Sequence, residues 1–377
     1  MLKPMFCCIA ATDYCMLRCK MCNKWHEPQP KPDEIPSISE WKKFISDFRE
    51  LVDEGFEMDF GGGEALSMPG ILELIKHAKK EGFRTTIASN GYLINEEMAR
   101  RIGDSGLDAV SLSLDSPYPE KHDETRGVQG VYARVMEALD NLTKYAKNTK
   151  KGICAIIMNE NIDDLLKLVQ WADNDSRVDW IYFMVIVQPN YSGPLTDQWQ
   201  DEYQYLWPKD KSKVINLLDE FIRLKQNGSK ITNRIEHLRA YKAYFNNPQK
   251  LVNKAKCIVG GRAISVNAYG FIQLCLFKDF IGNIRKDDIR KLWYSQDADL
   301  IRKKVDECKT NCHLLLNCCY VEDDPGLYKD TKATIPGWNK FLTYCYSKGL
   351  SYAVYRGIQY WKWRVACQKR GIDYRKF

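Results

Sequence analysis

Six apolar, strand-like runs alternate with amphipathic helical segments through the first 187 residues, and this alternation constrains the fold more than any other feature. Phe6 to Ala11 is the first run. Ile38 to Glu54 follows with helical spacing, placing Trp41, Phe44, Ile45, Phe48, Leu51 and Val52 on one side. Met58 to Phe60 runs into Gly61-Gly62-Gly63-Glu64, and Pro69 opens a helix that continues through Lys80. "EGFRTTIASNG" reads as helix end, strand and turn, and Asn95 caps a short helix to Ile102. "GLDAVSLSLDS" is a strand, followed by a helix over Val131 to Tyr145. Strand Gly152 to Met158, helix Ile162 to Ala172 and strand Asp179 to Val187 complete the series. Strands separated by helices predict an α/β fold with a parallel sheet and right-handed crossovers.

Six βα units are too few to close an eight-stranded barrel, yet the polar motifs cluster at strand C-terminal ends, where barrels of the TIM type place their chemistry. A partial (β/α)6 barrel over residues 1–190 is the expectation. A Pro-, Tyr- and Trp-rich stretch after Val187 suits a lid or substrate loop, with helices near 212–226 and 233–246, so 191–256 reads as lid and linker. "RAISVNAYGFIQLCLF" predicts a hairpin turning at Ala268-Tyr269-Gly270 in a β-rich segment, 257–325. Residues 326–377 read as a basic, aromatic helical tail. They carry eleven Lys or Arg against two Asp, so the net +7 of the chain is concentrated there. Twelve of these 52 residues are aromatic, and Val354, Ile358, Trp361 and Val365 share a helical face. That composition suits an interfacial membrane helix, and equally a helix packed on the barrel or bound to an anionic polymer; nucleic acid is the least expected partner. The longest charge-free apolar run, Trp180 to Val187, is too short to span a bilayer. With no signal-peptide pattern at the N-terminus, the expectation is a cytoplasmic protein, with the tail a route to peripheral membrane contact.

Fourteen cysteines in such a chain point to metal ligation or buried thiols rather than disulfides. Cys15, Cys19 and Cys22 fall within eight residues after the first strand. A structural zinc wants four ligands, and only His26 is near enough to supply the fourth. Three thiolates on a [4Fe–4S] cluster would leave one iron open for a substrate molecule. Cys7, Cys8 and Cys154 lie in apolar strands and read as buried thiols.

The Cys15-x3-Cys19-x2-Cys22 loop resembles that of the radical S-adenosylmethionine (SAM) enzymes, with Met21 where that family usually has an aromatic residue. The resemblance continues in order through Gly61-Gly62-Gly63-Glu64, where Ala65 replaces a proline, then Ser89-Asn90-Gly91, Ser113 and Asp115 in "SLSLDS", and Arg126 in "HDETRG". It implies a [4Fe–4S] cluster on Cys15, Cys19 and Cys22 whose open iron takes the amino and carboxylate groups of SAM. Reductive cleavage would give a 5′-deoxyadenosyl radical that abstracts hydrogen from a substrate. It also implies roles at the cofactor: Gly61, Gly62 and Gly63 for close backbone approach, and Glu64 for the methionine ammonium. Arg126 and Ser113 would serve the methionine carboxylate, Asn90 and Asp115 would reach the adenosyl moiety, and Ser89 counts among the cofactor-binding residues.

Farther on, Cys257-x12-Gly270-x4-Cys275, "GNIRKDDIRKLW" and then Cys308, Cys312, Cys318 and Cys319 resemble the SPASM and twitch auxiliary-cluster modules, truncated because Glu322 stands where a further cysteine would be. This implies one auxiliary [4Fe–4S] cluster held by Cys257, Cys275 and two of Cys308, Cys312 and Cys318, with zinc or a second cluster through Cys345 as alternatives. The substrate stays open among peptide, small metabolite and lipid. An external low-potential donor such as flavodoxin or ferredoxin is implied as partner. A non-enzymatic iron–sulfur carrier is the contrasting reading, and it gives no reason for Gly61 to Glu64 or for Arg126.

Overall fold

A computed structural model describes residues 3–318, apart from 29, 190, 191, 197, 252–256 and 258. The tail and Cys319, Glu322 and Cys345 lie outside the described residues. Nine strands form one sheet in the order β6-β5-β4-β3-β2-β1-β7-β8-β9. The first six are β1 (Phe6–Thr12), β2 (Glu57–Gly62), β3 (Arg84–Ser89), β4 (Ala109–Ser113), β5 (Lys150–Ile157) and β6 (Trp180–Val185), each parallel to its neighbour. Between them run α1 (Ile38–Arg49), α2 (Ile71–Lys80), α3 (Glu96–Ser105), α4 (Pro119–Arg126), α5 (Val131–Tyr145) and α6 (Leu165–Asn174).

Because the six strands follow one another in sequence order, uniform right-handed crossovers put every connecting helix on the same face. Side-chain burial records this asymmetry. Ile9, Met58, Phe60, Ile87, Val110, Leu112, Ile153, Ala155 and Ile181 are fully buried against the helices. Their alternates on the other face, such as Cys8 and Ala88, are exposed, and Asp59, Thr86, Ser111, Cys154 and Tyr182 are half-exposed. One face is therefore core and the other is polar and open, the arrangement expected of a partial barrel.

Local signals explain the element ends. Ser37 and Glu40 make a reciprocal capping box at the start of α1, and the Asn95 side chain accepts from the Met98 N–H as foreseen. α1 stops at Arg49, five residues before the expected end, while Leu51 and Val52 are still buried in the following turn.

After β6 come α7 (Trp199–Glu202), α8 (Lys211–Gln226) and α9 (Ile235–Asn246). α9 and its lead-in guard the outer edge of β6: Asn233 bonds both the N–H and C=O of Phe183, while the Tyr241 hydroxyl donates to Phe183 O and that of Tyr244 to Ile186 O. The foreseen hairpin is β7 (Ala263–Val266) and β8 (Phe271–Gln273), and β9 (Gly282–Asn283) pairs with β8. Gly270, at φ 78°, makes the turn, and a Cβ there would lie 2.6 Å from Pro36 Cγ. The hairpin is not a separate sheet: β7 runs parallel to β1, with Cys8 opposite Ser265. No helix among the described residues is long and apolar enough to cross a membrane.

Candidate functional site

The cysteine loop leaves the C-terminal end of β1 and is held from three directions. From β2, the Gly63 N–H donates to Thr12 O and the Glu64 N–H to Tyr14 O, both at 2.7 Å. From the end of α4, Arg126 O and Thr125 O accept the N–H groups of Arg18 and Lys20. Inside the loop, Leu17 and Met21 are buried, so Met21 fills an apolar site. A buried ion pair of Lys24 with Asp13, at 2.5 Å, ties the loop's exit back to its entrance.

This bracing explains the glycines. A Cβ on Gly62 would lie 2.4 Å from Thr12 O, and one on Gly63 2.1 Å from Tyr14 O. Gly127, at φ 68°, would put a Cβ 2.2 Å from Arg18 O. The close approach that Gly62 and Gly63 permit is therefore first to the chain itself. Only Gly61 has open space where a side chain would be.

Glu64 is buried. Its Oε1 accepts from Ser89 Oγ at 2.9 Å and more weakly from Leu66 N, and its Oε2 accepts from Asn90 N at 2.8 Å. Burial pushes its carboxyl above the usual range against these donors. Glu64 thereby ties the end of β2 to the end of β3. Asn90 turns its amide toward the loop, 3.8 Å from Cys15 Sγ.

Asp115 and Arg126, given separate duties by the sequence reading, pair with each other at 2.6 Å, with side chains 0% and 9% exposed. Asp115 Oδ1 also accepts from Ile156 N. The Arg126 Nη1 reaches within 4.0 Å of Cys19 Sγ, and its Nε is buried with no hydrogen-bond partner among the described residues. Burial opposes the charge on Arg126, but the Asp115 carboxylate and the Cys19 thiol overcome that and raise its proton affinity. His122 Nδ1 accepts from Asp115 N, and burial, helped by Arg126, drops the imidazole to about 2, so the ring is neutral. Asp123 accepts from Gly130 N and Tyr132 N, which anchors the start of α5. Ser113, half-exposed on the open face, sits opposite Cys154 in the β4–β5 register.

The three thiols are neighbours whose charges sense one another. Burial raises Cys15, and it raises Cys19 to about 11 although Arg126 pulls it down. No set of three His, Cys, Asp or Glu side chains among the described residues closes on a point as a single metal ion requires, and His26 is exposed. The Cys3His zinc site is thus not assembled. The donor set is three thiols, with an arginine near Cys19 and an amide near Cys15, and no fourth ligand among the described residues. It suits a group larger than one ion, whose anionic sulfurs those donors would meet.

The described cysteines of the second group fall in the same range of exposure as the first three. Cys275 is held up by burial, while N–H groups of Phe277 and Lys278 point toward its sulfur and Cys308 lies close by. Cys308 is held below its ordinary value: burial opposes this, but Thr310 and Lys278 outweigh it. Cys257 and Cys312 are half-exposed, and the Cys318 side chain lies outside the described residues. The "GNIRKDD" segment has a structural reason. Asn283 donates to Tyr269 O across the hairpin, its N–H donates to Asp287, and a Cβ on Gly282 would strike Leu292 at 2.5 Å.

The sequence reading missed the Lys24–Asp13 pair and Gly127, which brace the loop, and His122, which accepts from Asp115 N. Gly127 and His122 lie within the "HDETRG" motif, which was the available signal.

Residues 9–172, less than half of the chain, match the Radical SAM superfamily model. Among known proteins, the AdoMet-dependent heme synthase of Oleidesulfovibrio alaskensis is 29% identical over 175 residues, 46% of this chain and 44% of that protein. The chain thus spans less than half of that relative's length. The GTP 3′,8-cyclase of Limosilactobacillus fermentum is 28% identical over 297 residues, covering 77% of this chain and 83% of the cyclase. Native anSMEcpe with bound AdoMet has a similar fold, with a TM-score of 0.61 at 20% identity over 93% of this chain and 99% of that one.

Proposed function

We propose that this protein is a radical SAM enzyme: a [4Fe–4S] cluster held by Cys15, Cys19 and Cys22 would, when bound, deliver one electron to SAM and so generate the 5′-deoxyadenosyl radical that takes hydrogen from substrate. The observation that carries this reading is the convergence of Arg126 on Cys19 and of Asn90 on Cys15 in a three-thiol loop with no fourth ligand among the described residues.

The chain's own residues then divide the work. Gly62 and Gly63 let β2 lie against the loop, and Gly61 leaves clear space at the strand end for the cofactor's amino acid portion. Glu64, fixed by Ser89 and Asn90, presents acceptor capacity to an ammonium. Arg126 keeps an Nε–H to offer a carboxylate or a sulfur, with Asp115 holding the guanidinium in place, and Ser113 would add a hydroxyl donor for the carboxylate. Buried and neutral, His122 supports Asp115 without adding charge.

At the second group, Cys257, Cys275 and two of Cys308, Cys312 and Cys318 would hold one auxiliary [4Fe–4S] cluster; the closeness of Cys275 to Cys308 supports this. An external low-potential reductant is required. The two relatives named act on different substrate types, so a peptide, a metabolite and a lipid all remain within this reading. Membrane contact through residues 326–377 rests on composition alone.

The test is direct. Anaerobically reconstituted, reduced protein should convert SAM to 5′-deoxyadenosine, and a carrier protein should not. Absence of 5′-deoxyadenosine from protein with a full cluster load would overturn the proposal.

A further inference from the structure

Toward the strand starts, the open face of the sheet carries polar side chains that none of the roles above uses. They include Cys8, Asp59, Thr86 and Ser265, adjacent in register on β1, β2, β3 and β7. One pleat nearer the strand ends the same face bears Ala10, Gly61 and Ala88. The small side chains of Ala10 and Ala88 leave a way down beside Gly61, and successive same-face residues are roughly 7 Å apart. Water reaches the base: Cys8 is exposed and Asp59 half-exposed in the middle of a nine-stranded sheet.

Asp59 is the feature that points to a ligand. Its Oδ1 accepts from Thr86 Oγ1 at 2.8 Å, and no lysine, arginine or histidine among the described residues pairs with it. The titratable groups that it senses are its own strand's Glu57, the Cys154 thiol on the same face and the Cys7 thiol on the buried face behind it, all acidic. Arg126 is already committed to Asp115. Elsewhere on this strand set, carboxylates are paired: Asp108 with Lys79, Asp179 with Lys150 and Glu57 with Arg84. A carboxylate without a cation, enclosed enough that burial pushes it up to about 6, is a site that a cation completes.

We propose that the Asp59–Thr86 recess is a subsite for a protonated amine or guanidinium of the substrate, reached from the rim past Ala88. This rests on the radical SAM reading only for the direction from which substrate arrives.

Cys8, beside Asp59 at the base, is a built-in reporter. Cluster-loaded protein would be treated anaerobically with a cationic (trimethylammonium-ethyl) or an anionic (sulfonatoethyl) methanethiosulfonate, and Cys8 modification followed by peptide mass. Relative to the same pair of reagents on a small thiol, the cationic one should be favoured by at least about tenfold. Asp59→Asn should remove that preference. In the unaltered protein, the preference should also fall as pH is lowered from about 7.5 to 5 and Asp59 takes up a proton; dependence on the thiolate cancels in the ratio. The wild-type titration needs no variant to fold. Equal ratios in wild-type and Asp59→Asn protein, a ratio indifferent to pH, or a Cys8 closed to both reagents would each overturn the subsite. The radical SAM reading would stand in every case, because no SAM cleavage is measured.

Discussion

The two cysteine groups differ in what holds them. The loop of Cys15, Cys19 and Cys22 is pinned by backbone hydrogen bonds from β2 and α4, by three glycines that allow those contacts, and by a buried ion pair. The Cys257–Cys318 group rests on a short hairpin and on segments next to helices. A site braced by its own backbone stands ready before its cofactor arrives. A site braced mainly by side chains that ligate a metal draws its order from the metal, so ligand loss there also becomes a loss of stability.

The largest test of this contrast is a pair of variants. Changing Cys15, Cys19 and Cys22 together to alanine should reduce 5′-deoxyadenosine formation at least about 100-fold while the melting temperature changes little. Cys275→Ala should lower both iron content and melting temperature, with part of the SAM cleavage surviving. Equal loss of stability in the two variants, by calorimetry, would erase the distinction.

Asp115→Ala should come next. It strands a buried arginine, and breaking such a pair typically costs about 3–5 kcal/mol; denaturant unfolding would measure it. Gly63→Ala forces a Cβ onto Tyr14 O, and a clash of backbone with backbone should cost roughly 2–4 kcal/mol.

Acid provides a smaller, graded test. The unfolded chain protonates His122 near 6.5, whereas the folded chain resists down to about 2, so this residue's contribution is complete above 6.5 and declines as pH falls. By pH 5 the decline should reach about 2 kcal/mol, at 1.36 kcal/mol per pH unit, and His122→Gln should flatten that part of the pH–stability profile. The least effect belongs to Gly61→Ala, which meets open space and should change stability by no more than about 0.5 kcal/mol.

Much of this architecture was legible in the residues. Strand and helix alternation placed all six parallel strands, and α5 was placed residue for residue, because each element carries its own apolar period. The hairpin turn at Gly270 was legible for the same local reason. What escaped was non-local. Nothing in "RAISV" says that it pairs with β1, since register between segments some 250 residues apart is written in neither. The thiol triad was visible as a motif. The partnership of Asp115 with Arg126 was not, because two charged residues in neighbouring motifs look equally available to a ligand. Nor was the use of Gly62 and Gly63 by the cysteine loop: a glycine shows that something comes close, not what.

The position of β1 has a consequence for biogenesis. Its partners on either side are β2, about 50 residues on, and β7, about 255 residues on. A growing polypeptide therefore emerges with the strand that carries the cysteine loop as a bare sheet edge, and it stays so until the second partner has been synthesised. Such edges invite pairing with other chains. Maturation would then be safest if iron–sulfur delivery followed completion of translation, when the edge is capped and the thiols have only one sheet to belong to.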